Sequence, residues 1–274
     1  MIGSPRRTGS GLAPGRRVGR VRQRHWKVLA AVCGALLIGG SGPVTAAPIA
    51  KLPAAPLVPI AGKTIVLDPG HNGGGAAHPE EINAQVSDGR GGTKACNTTG
   101  TAANDGYTEH EFNWDVAQRV RDLLTARGYQ VIMSRDSDSG VGPCVDERGT
   151  LGNRTGAAAV VSIHADGAPA GAHGFHVAHS SPPLNEAQGE PSVRLATGIR
   201  DSLVRAGFET STYIGSDGMN PRADLAGLNH SDRPTALVEC GNMRDPGDIA
   251  ILESPDGRAR LAQAISAAIA AYVG

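Results

Sequence analysis

Four side chains that could hold and use a metal ion stand far apart in the sequence: His71, Glu109, His164 and Glu239. Two imidazoles and one carboxylate suit zinc with an open position for water, and a further carboxylate beside such a metal can act as a general base. No short spacing of the HExxH kind joins the four, so the site depends on the fold bringing them together. Each residue alone has an ordinary explanation, either as a loop imidazole or as a carboxylate that complements a helix dipole.

Three of these side chains follow apolar runs that predict strands covered on both faces of a sheet. The runs are residues 64–67, 159–163 and 235–238. They are followed by His71, His164 and Glu239 respectively. Because proline has no backbone donor, we expect the first strand to leave the sheet at Asp68-Pro69-Gly70. Ligand sites in open α/β sheets collect at the carboxyl ends of strands, so we expect the three side chains to share one rim.

The fourth side chain begins a helix. Thr108 and Glu111 have the spacing of a capping box, and apolar residues then recur on one face as far as residue 127, before Gly128. Glu109 therefore lies in the first helical turn. Glu111 is the alternative ligand, but two residues on a helix differ in direction by about 200°, so only one of them can face a metal.

The remaining elements alternate between strand and helix patterns. Further strands are predicted at 129–134 and 175–178, and further helices at 146–158, 192–206 and 257–272. Residues 72–107 and 213–230 have no clear period and are interpreted as loops. A loop as long as the first is usually functional or mobile.

Residues 1–47 have the three parts of a secretory signal peptide, namely a basic region, a short apolar region and a small-residue cleavage site. The apolar run at 28–40 is too short for a membrane span of about 20 residues. We expect a signal peptide over 1–47, a Pro/Ala-rich linker over 48–62 and one catalytic domain over 63–274, secreted to the periplasm or cell wall. An uncleaved amphipathic anchor is the alternative for the first segment.

Charge and cysteine content agree with export. Removing the eight basic residues of the signal from the 26 in the chain leaves 18 against 26 acidic ones, a net charge of −8. Such a domain lacks the basic surface of a general nucleic-acid binder. Cys96 and Cys144 stand in loop-like stretches and are predicted to form a disulfide, whereas Cys240 ends an apolar run and is expected to stay free.

Four ordered motifs resemble those of the zinc-dependent N-acetylmuramoyl-L-alanine amidases of bacterial cell walls. They are LDPGH ending at His71, EHEFN beginning at Glu109, SIHAD containing His164 and LVECGN containing Glu239. The resemblance covers residues 63–274, nearly all of the chain after the signal. Asp166 stands where the family often has asparagine, and the long segment 72–107 could alter access to the cleft.

The resemblance implies an α/β domain with a mixed, twisted sheet and helices on both faces. It implies that His71, Glu109 and His164 bind one Zn2+ and that Glu239 is the catalytic carboxylate. The expected substrate is peptidoglycan or a muropeptide, cleaved between N-acetylmuramic acid and L-alanine by a protein that we expect to be a monomer. Two alternatives stay open: zinc carboxypeptidase or aminoacylase chemistry on another amide, and a catalytically silent peptidoglycan-binding protein.

Overall fold

A mixed six-stranded sheet forms the centre of the computed structural model, which describes residues 63–169 and 171–274. The strands of this sheet are β1 (Thr64–Pro69), β4 (Gln130–Met133), β5 (Ala159–Asp166), β6 (His176–Ser180), β7 (Met219–Arg222) and β8 (Thr235–Asn242). Their order across the sheet is β4-β1-β5-β8-β6-β7, and only the β6–β8 pair is antiparallel. A separate antiparallel hairpin consists of β2 (Gln85–Ser87) and β3 (Thr93–Ala95).

Helices cover both faces of the sheet. They are α1 (Pro79–Ile82), α2 (Glu109–Thr125), α3 (Val145–Thr155), α4 (Glu190–Arg205), α5 (Ala226–Asn229), α6 (Pro246–Leu252) and α7 (Pro255–Val273). The main core lies between one face and helices α2, α4 and α7, while α3 and α5 cover smaller apolar clusters on the other face. The predicted α/β architecture with a mixed sheet and helices on both faces is therefore confirmed.

Helix α2 shows how the sequence positions one site residue. Phe112, Val116, Val120 and Leu124 recur every fourth residue, and all four are fully buried against the sheet and α7. Thr108 is the N-cap, and the capping box with Glu111 is present as predicted. Burial of this stripe fixes the rotation of the helix and therefore the direction of every side chain in its first turn.

Strand β1 ends at Pro69, so it leaves the sheet within Asp68-Pro69-Gly70 as predicted, whereas β5 and β8 extend further than their apolar runs predict. Pro69 still pairs with Ile163 of β5. The Gly70 amide donates to the carbonyl of Ile163. Neighbouring amides of a strand point to opposite sides, so Pro69 has its missing donor on the β4 side, where pairing ends at Leu67. The proline therefore costs the β5 ladder no hydrogen bond.

Residues 72–107, interpreted from the sequence as a loop, contain α1, the β2–β3 hairpin and a short 3-10 turn at Gly75–Ala77. Arg90 fixes this insertion to the domain, because its guanidinium donates to Ser180 and Asn229. The elements are too short to produce a recognisable period. The same reason explains the missed β7 and α5 within 213–230, and α6 was also missed.

The disulfide between Cys96 and Cys144 is present, and Cys240 is free and buried, as predicted. The bond joins the insertion to the residue before α3, where the Val145 amide also donates to the carbonyl of Cys96 at 2.8 Å. It closes a loop over a sequence separation of 48 residues.

We expect the Cys96→Ser, Cys144→Ser double variant to be less stable by about 2–4 kcal/mol, because the unfolded chain regains the entropy that the cross-link removes. Denaturant unfolding of both proteins, each without reductant, measures the difference. A Ser substitution at both positions that leaves the unfolding midpoint unchanged would contradict this role for the bond.

The predicted signal peptide and linker lie outside the described residues. Within 63–169 and 171–274, none of the helices combines the length and apolar character needed to cross a membrane.

Candidate metal and catalytic site

His71 lies just past the end of β1 in a left-handed backbone conformation, with φ of 57°. Such a conformation is strained for a residue other than glycine, so the surroundings must hold it. Arg148 of α3 does so, since its guanidinium donates to the carbonyl oxygens of Pro69 and His71 at 2.8 and 3.0 Å. The imidazole Nδ1 lies 2.8 Å from the carbonyl oxygen of Thr98. A carbonyl can only accept, so Nδ1 carries a proton, and Nε2 is the nitrogen that faces Glu109 and could bind a metal.

Glu109 enters the site from the first turn of α2 and is only 4 % exposed. Its Oε1 lies 3.1 Å from Nε2 of His71 and 2.9 Å from Nδ1 of His164. Its Oε2 accepts the backbone N–H of Thr101 at 2.9 Å. Burial alone would raise the pKa of the Glu109 carboxyl, but hydrogen bonds and charge from the two imidazoles outweigh it and lower that pKa. The carboxylate is thus held ionised and aimed at both imidazoles.

His164 lies inside β5, two residues before its end, with Ser162 and Asp166 on the same face. The end of β1 packs tightly against its ring. A Cβ added at Gly70 would lie 2.0 Å from the ring atom Cε1. Asn113 of α2 donates to the carbonyl of Gly70 at 3.2 Å and so ties this close approach to the helix. Glycine is therefore required at position 70 to let the two strand ends meet.

The ligand atoms of His71, Glu109 and His164 all lie within 4.8 Å of one another. Zinc bonds of about 2.0–2.2 Å in a tetrahedron place neighbouring ligand atoms about 3.3 Å apart. The two measured nitrogen–oxygen distances, 3.1 and 2.9 Å, are close to that spacing. Two neutral imidazoles and a carboxylate are also a donor set that zinc accepts in catalytic sites. The residues present therefore fit a zinc ion with one position open.

Glu239 lies in β8, directly beside His164 in the parallel β5–β8 ladder. It lines the same cavity of about 400 Å³ as the three ligand candidates. Its Oε2 is buried and has no hydrogen-bond partner among the described residues. Burial raises the pKa of the Glu239 carboxyl, and the nearby carboxylates of Glu109 and Asp166 raise it further. A buried carboxylate oxygen without a partner, next to a metal site, is positioned to exchange a proton with a bound reactant.

The fold thus brings together all four residues that the sequence singles out. Glu111, the alternative ligand, is exposed and directs its carboxylate to the N–H and hydroxyl groups of Thr108. It faces the helix start instead of the cavity.

A buried ion pair beneath the site supports the end of β1. Asp68 accepts from Arg148 at 2.9 Å, from Ser134 at 2.6 Å and from Ser162 at 2.7 Å. Burial alone would raise the pKa of Asp68, but Arg148 and the two serine hydroxyls outweigh it and lower that pKa to about 2. Because Arg148 also binds the His71 carbonyl, the ion pair connects α3 to the first ligand candidate.

Sequence reasoning missed the part of the site that the insertion supplies. Gly100 has a φ of +79°, and a Cβ there would lie 2.8 Å from Oε2 of Glu109. Thr98, Gly100 and Thr101 line the cavity of the ligand candidates. Their only sequence signal is a run of small polar residues, which is common in ordinary loops.

Asp166, which stands where the family often has asparagine, also lines this cavity. Its Oδ2 accepts the Tyr213 hydroxyl at 3.1 Å and lies 3.4 Å from Nε2 of His176. Hydrogen bonding from His176 is the main cause of its lowered pKa. Asp166 is therefore held as an anion on the β6 side of the site.

Comparison with known proteins identifies the family to which this chain belongs. A family model described as N-acetylmuramoyl-L-alanine amidase matches residues 65–271, which is well over half of the chain. The chain belongs to the N-acetylmuramoyl-L-alanine amidase family. The match spans every element that carries a site residue, from β1 to β8, and the family resemblance drawn from the four motifs is confirmed.

An individual relative and two solved structures indicate the same family. The amidase is 46% identical over 228 residues to the N-acetylmuramoyl-L-alanine amidase Rv3717 of Mycobacterium tuberculosis, covering 83% of this chain and 93% of the relative. The crystal structure of the amidase Ami1 from Mycobacterium smegmatis superposes with a TM-score of 0.76 and 52% identity, covering 79% of this chain and 99% of that one. The apo form of Ami1 from Mycobacterium abscessus gives the same TM-score and identity, over 78% and 100% of the two chains.

The choice between the two glutamates of α2 can be tested directly in this amidase. We expect Glu109→Gln to lose stoichiometric zinc, because the neutral amide removes the charge at the point where both imidazoles converge. Glu111→Gln should keep zinc and unfold at nearly the wild-type temperature, because a glutamine at this position can also complete the capping box. Metal analysis and thermal unfolding of the two variants side by side provide the measurement. Zinc loss in Glu111→Gln with retention in Glu109→Gln would reverse the assignment.

Proposed function

We propose that this protein is a secreted zinc hydrolase that cleaves the amide between the lactyl group of N-acetylmuramic acid and the L-alanine of peptidoglycan stem peptides. The observation that carries the proposal is the buried, unpartnered Oε2 of Glu239 in one cavity with His71, Glu109 and His164. A cluster kept only for structure would have no use for an unpaired buried carboxylate oxygen, which costs free energy. The family, and the name of the 46% identical relative, supply the substrate class.

His71, Glu109 and His164 would hold one Zn2+ through Nε2, Oε1 and Nδ1. When bound, zinc supplies Lewis-acid polarisation of a carbonyl and lowers the pKa of bound water to about 7. The protein holds these ligands in place before the metal arrives: Thr98 fixes the His71 ring, and Asn113 and Thr101 fix the α2 side of the site. The open side of the cavity, where Glu239 lies, is left for water and the scissile amide.

Glu239 acts as general base and then as general acid. Its unpartnered Oε2 takes a proton from the attacking water as the new carbon–oxygen bond forms. The same proton then passes to the nitrogen of L-alanine as the carbon–nitrogen bond breaks. The products are a free lactyl carboxylate and a stem peptide with a free amino terminus, so atoms and charge balance without a further reactant.

The location of the enzyme follows from the same substrate. Peptidoglycan lies outside the cytoplasmic membrane, so residues 1–47 act as the signal peptide, 48–62 as a linker and 63–274 as the catalytic domain. The Cys96–Cys144 bond supports this assignment, because disulfides persist in oxidising compartments. The −8 net charge of the exported part argues against binding to nucleic acid.

Mass analysis of the products tests the proposal. Purified, zinc-loaded protein is incubated with peptidoglycan and with a defined muramoyl-peptide, and the soluble products are identified. The proposal requires intact stem peptides that begin with L-alanine. Release of single amino acids from the carboxyl end would instead indicate carboxypeptidase chemistry, and binding without any product would indicate a silent peptidoglycan-binding protein.

A further inference from the structure

Arg244 lies in the turn between β8 and α6, and its exposed side chain lines the cavity that contains the ligand candidates and Glu239. A second cavity of about 320 Å³ adjoins the first along Gly100 and Thr101, and Arg244 lines this one as well. It is the one arginine or lysine that lines either cavity among the described residues. Arg244 thus lies where the two cavities adjoin.

The backbone of Arg244 is firmly placed. Its N–H donates to Oδ1 of Asn242 at 3.0 Å, and the fully buried Asn242 donates in turn to the carbonyl of Ala172 at 2.6 Å. The neighbouring Met243 is fully buried, and its N–H donates to the carbonyl of Asp166 at 2.9 Å. Asp245 then caps α6. Because the backbone is held on both sides of Arg244, its side chain starts from a fixed position at the edge of the cavity.

The guanidinium has no hydrogen-bond or ion-pair partner within residues 63–169 and 171–274. Other arginines around the site are fully engaged: Arg135 and Arg148 are buried, and each is bound to an aspartate. The donor fork of an arginine matches a carboxylate in two parallel hydrogen bonds. A fork left without a partner beside a reaction site is therefore available to an anion on the ligand.

The charge of the cleft makes this position distinctive. The cavity contains the carboxylates of Glu109, Asp166 and Glu239, so an anionic ligand group would be repelled over most of its surface. Apart from the proposed metal ion, Arg244 is the one lysine or arginine that lines this cavity among the described residues. An anionic substrate group that does not bind the metal is therefore expected at Arg244.

We propose that Arg244 binds a carboxylate on the peptide side of the substrate and thereby selects acidic stem peptides over their amidated forms. The proposal rests on the function proposed above, because it assumes that a peptide amide occupies the ligand cavity. Arg244 and the ligands line one cavity, so the carboxylate lies near the scissile amide. L-alanine has a methyl side chain and its carboxyl group is in a peptide bond, so the next residue is the first that can carry a free carboxylate. The substrate class is a muramoyl-peptide whose second residue carries a free carboxylate.

The test uses two muramoyl-peptides that differ only in a carboxylate or a carboxamide on the residue after L-alanine. Wild type should prefer the acid in kcat/KM by roughly 10- to 100-fold, the range for a hydrogen bond to a charged group. Arg244→Gln should bring the ratio close to one, mainly by raising KM for the acid and with little effect on the amide. Arg205→Gln serves as the matched control, because Arg205 is also exposed but lies on α4 at a different cavity.

A binding measurement separates this inference from the proposed function. The Kd of both peptides is determined with zinc-loaded Glu239→Gln protein, with and without Arg244→Gln. A preference for the acid that disappears with Arg244→Gln supports the inference even where wild type hydrolyses neither peptide, a result that would overturn only the proposed function. Equal Kd values for acid and amide, an unchanged ratio in Arg244→Gln, or an equal loss in Arg205→Gln would overturn the inference.

Discussion

Glu239→Ala is expected to retain one zinc per chain and a folded domain while amide hydrolysis falls by a factor on the order of 10² or more, the contribution of a general base. Three protein ligands with one open position is the usual arrangement of catalytic zinc, so Glu239 is assigned to the proton and not to the metal. Its unpartnered Oε2 and its position beside His164 support that assignment. Zinc content and stem-peptide release, measured together, provide the check.

The isosteric Glu239→Gln variant is a second version of the same test, because it keeps the volume of the side chain and removes only its capacity to take a proton. Glu186→Gln, at an exposed position away from the cavity, is the matched control and should behave as wild type. Zinc retained with hydrolysis unchanged in either Glu239 variant would disprove the mechanism. Loss of zinc would instead make Glu239 a fourth ligand.

His71→Ala and His164→Ala should each remove zinc and activity together. The distance from each imidazole nitrogen to Glu109 Oε1 is close to the distance between two ligand atoms of a tetrahedral zinc ion. Deletion of either imidazole therefore leaves only two protein ligands for the metal. Because the metal supplies several kcal/mol of transition-state stabilisation, activity should fall roughly 10³-fold or more. Metal analysis by mass spectrometry, paired with turnover on a muramoyl-peptide, measures both losses.

His78→Ala provides the control for this pair. His78 also lies beside a glutamate, since its Nδ1 is 2.7 Å from Oε1 of Glu81, but its side chain is 50% exposed and belongs to no group of three potential metal ligands among the described residues. It should keep zinc and activity. Thermal unfolding of all three variants excludes general loss of structure as the cause, and stoichiometric zinc with full turnover in either site variant would show that the assignment is wrong.

The sequence predicted the site better than it predicted the elements around it. His71, His164 and Glu239 could be placed on one rim because each follows a fully apolar run, and such runs form the centre of parallel sheets. Glu109 could be placed because the capping box fixes where α2 begins. These signals are local, so a single sequence contains them.

The structural features that could not be predicted from the sequence depend on contacts between distant segments. Strands β5 and β8 run past their apolar residues because they pair with each other as far as Asp166 and Asn242, which no local pattern reports. The short elements of the insertion exist because Arg90 and the disulfide fix them to the domain. Arg148 and Arg244 look alike in sequence, yet one is buried in an ion pair and the other lies unpaired at the cavity.

The most direct test of the account is an X-ray crystal structure of the zinc-loaded protein with anomalous data collected on both sides of the zinc absorption edge. We predict one edge-dependent peak per chain, within coordination distance of Nε2 of His71, Oε1 of Glu109 and Nδ1 of His164, with Glu239 facing the remaining position. A peak coordinated by other residues, or active crystals with no peak at this cluster, would contradict the account.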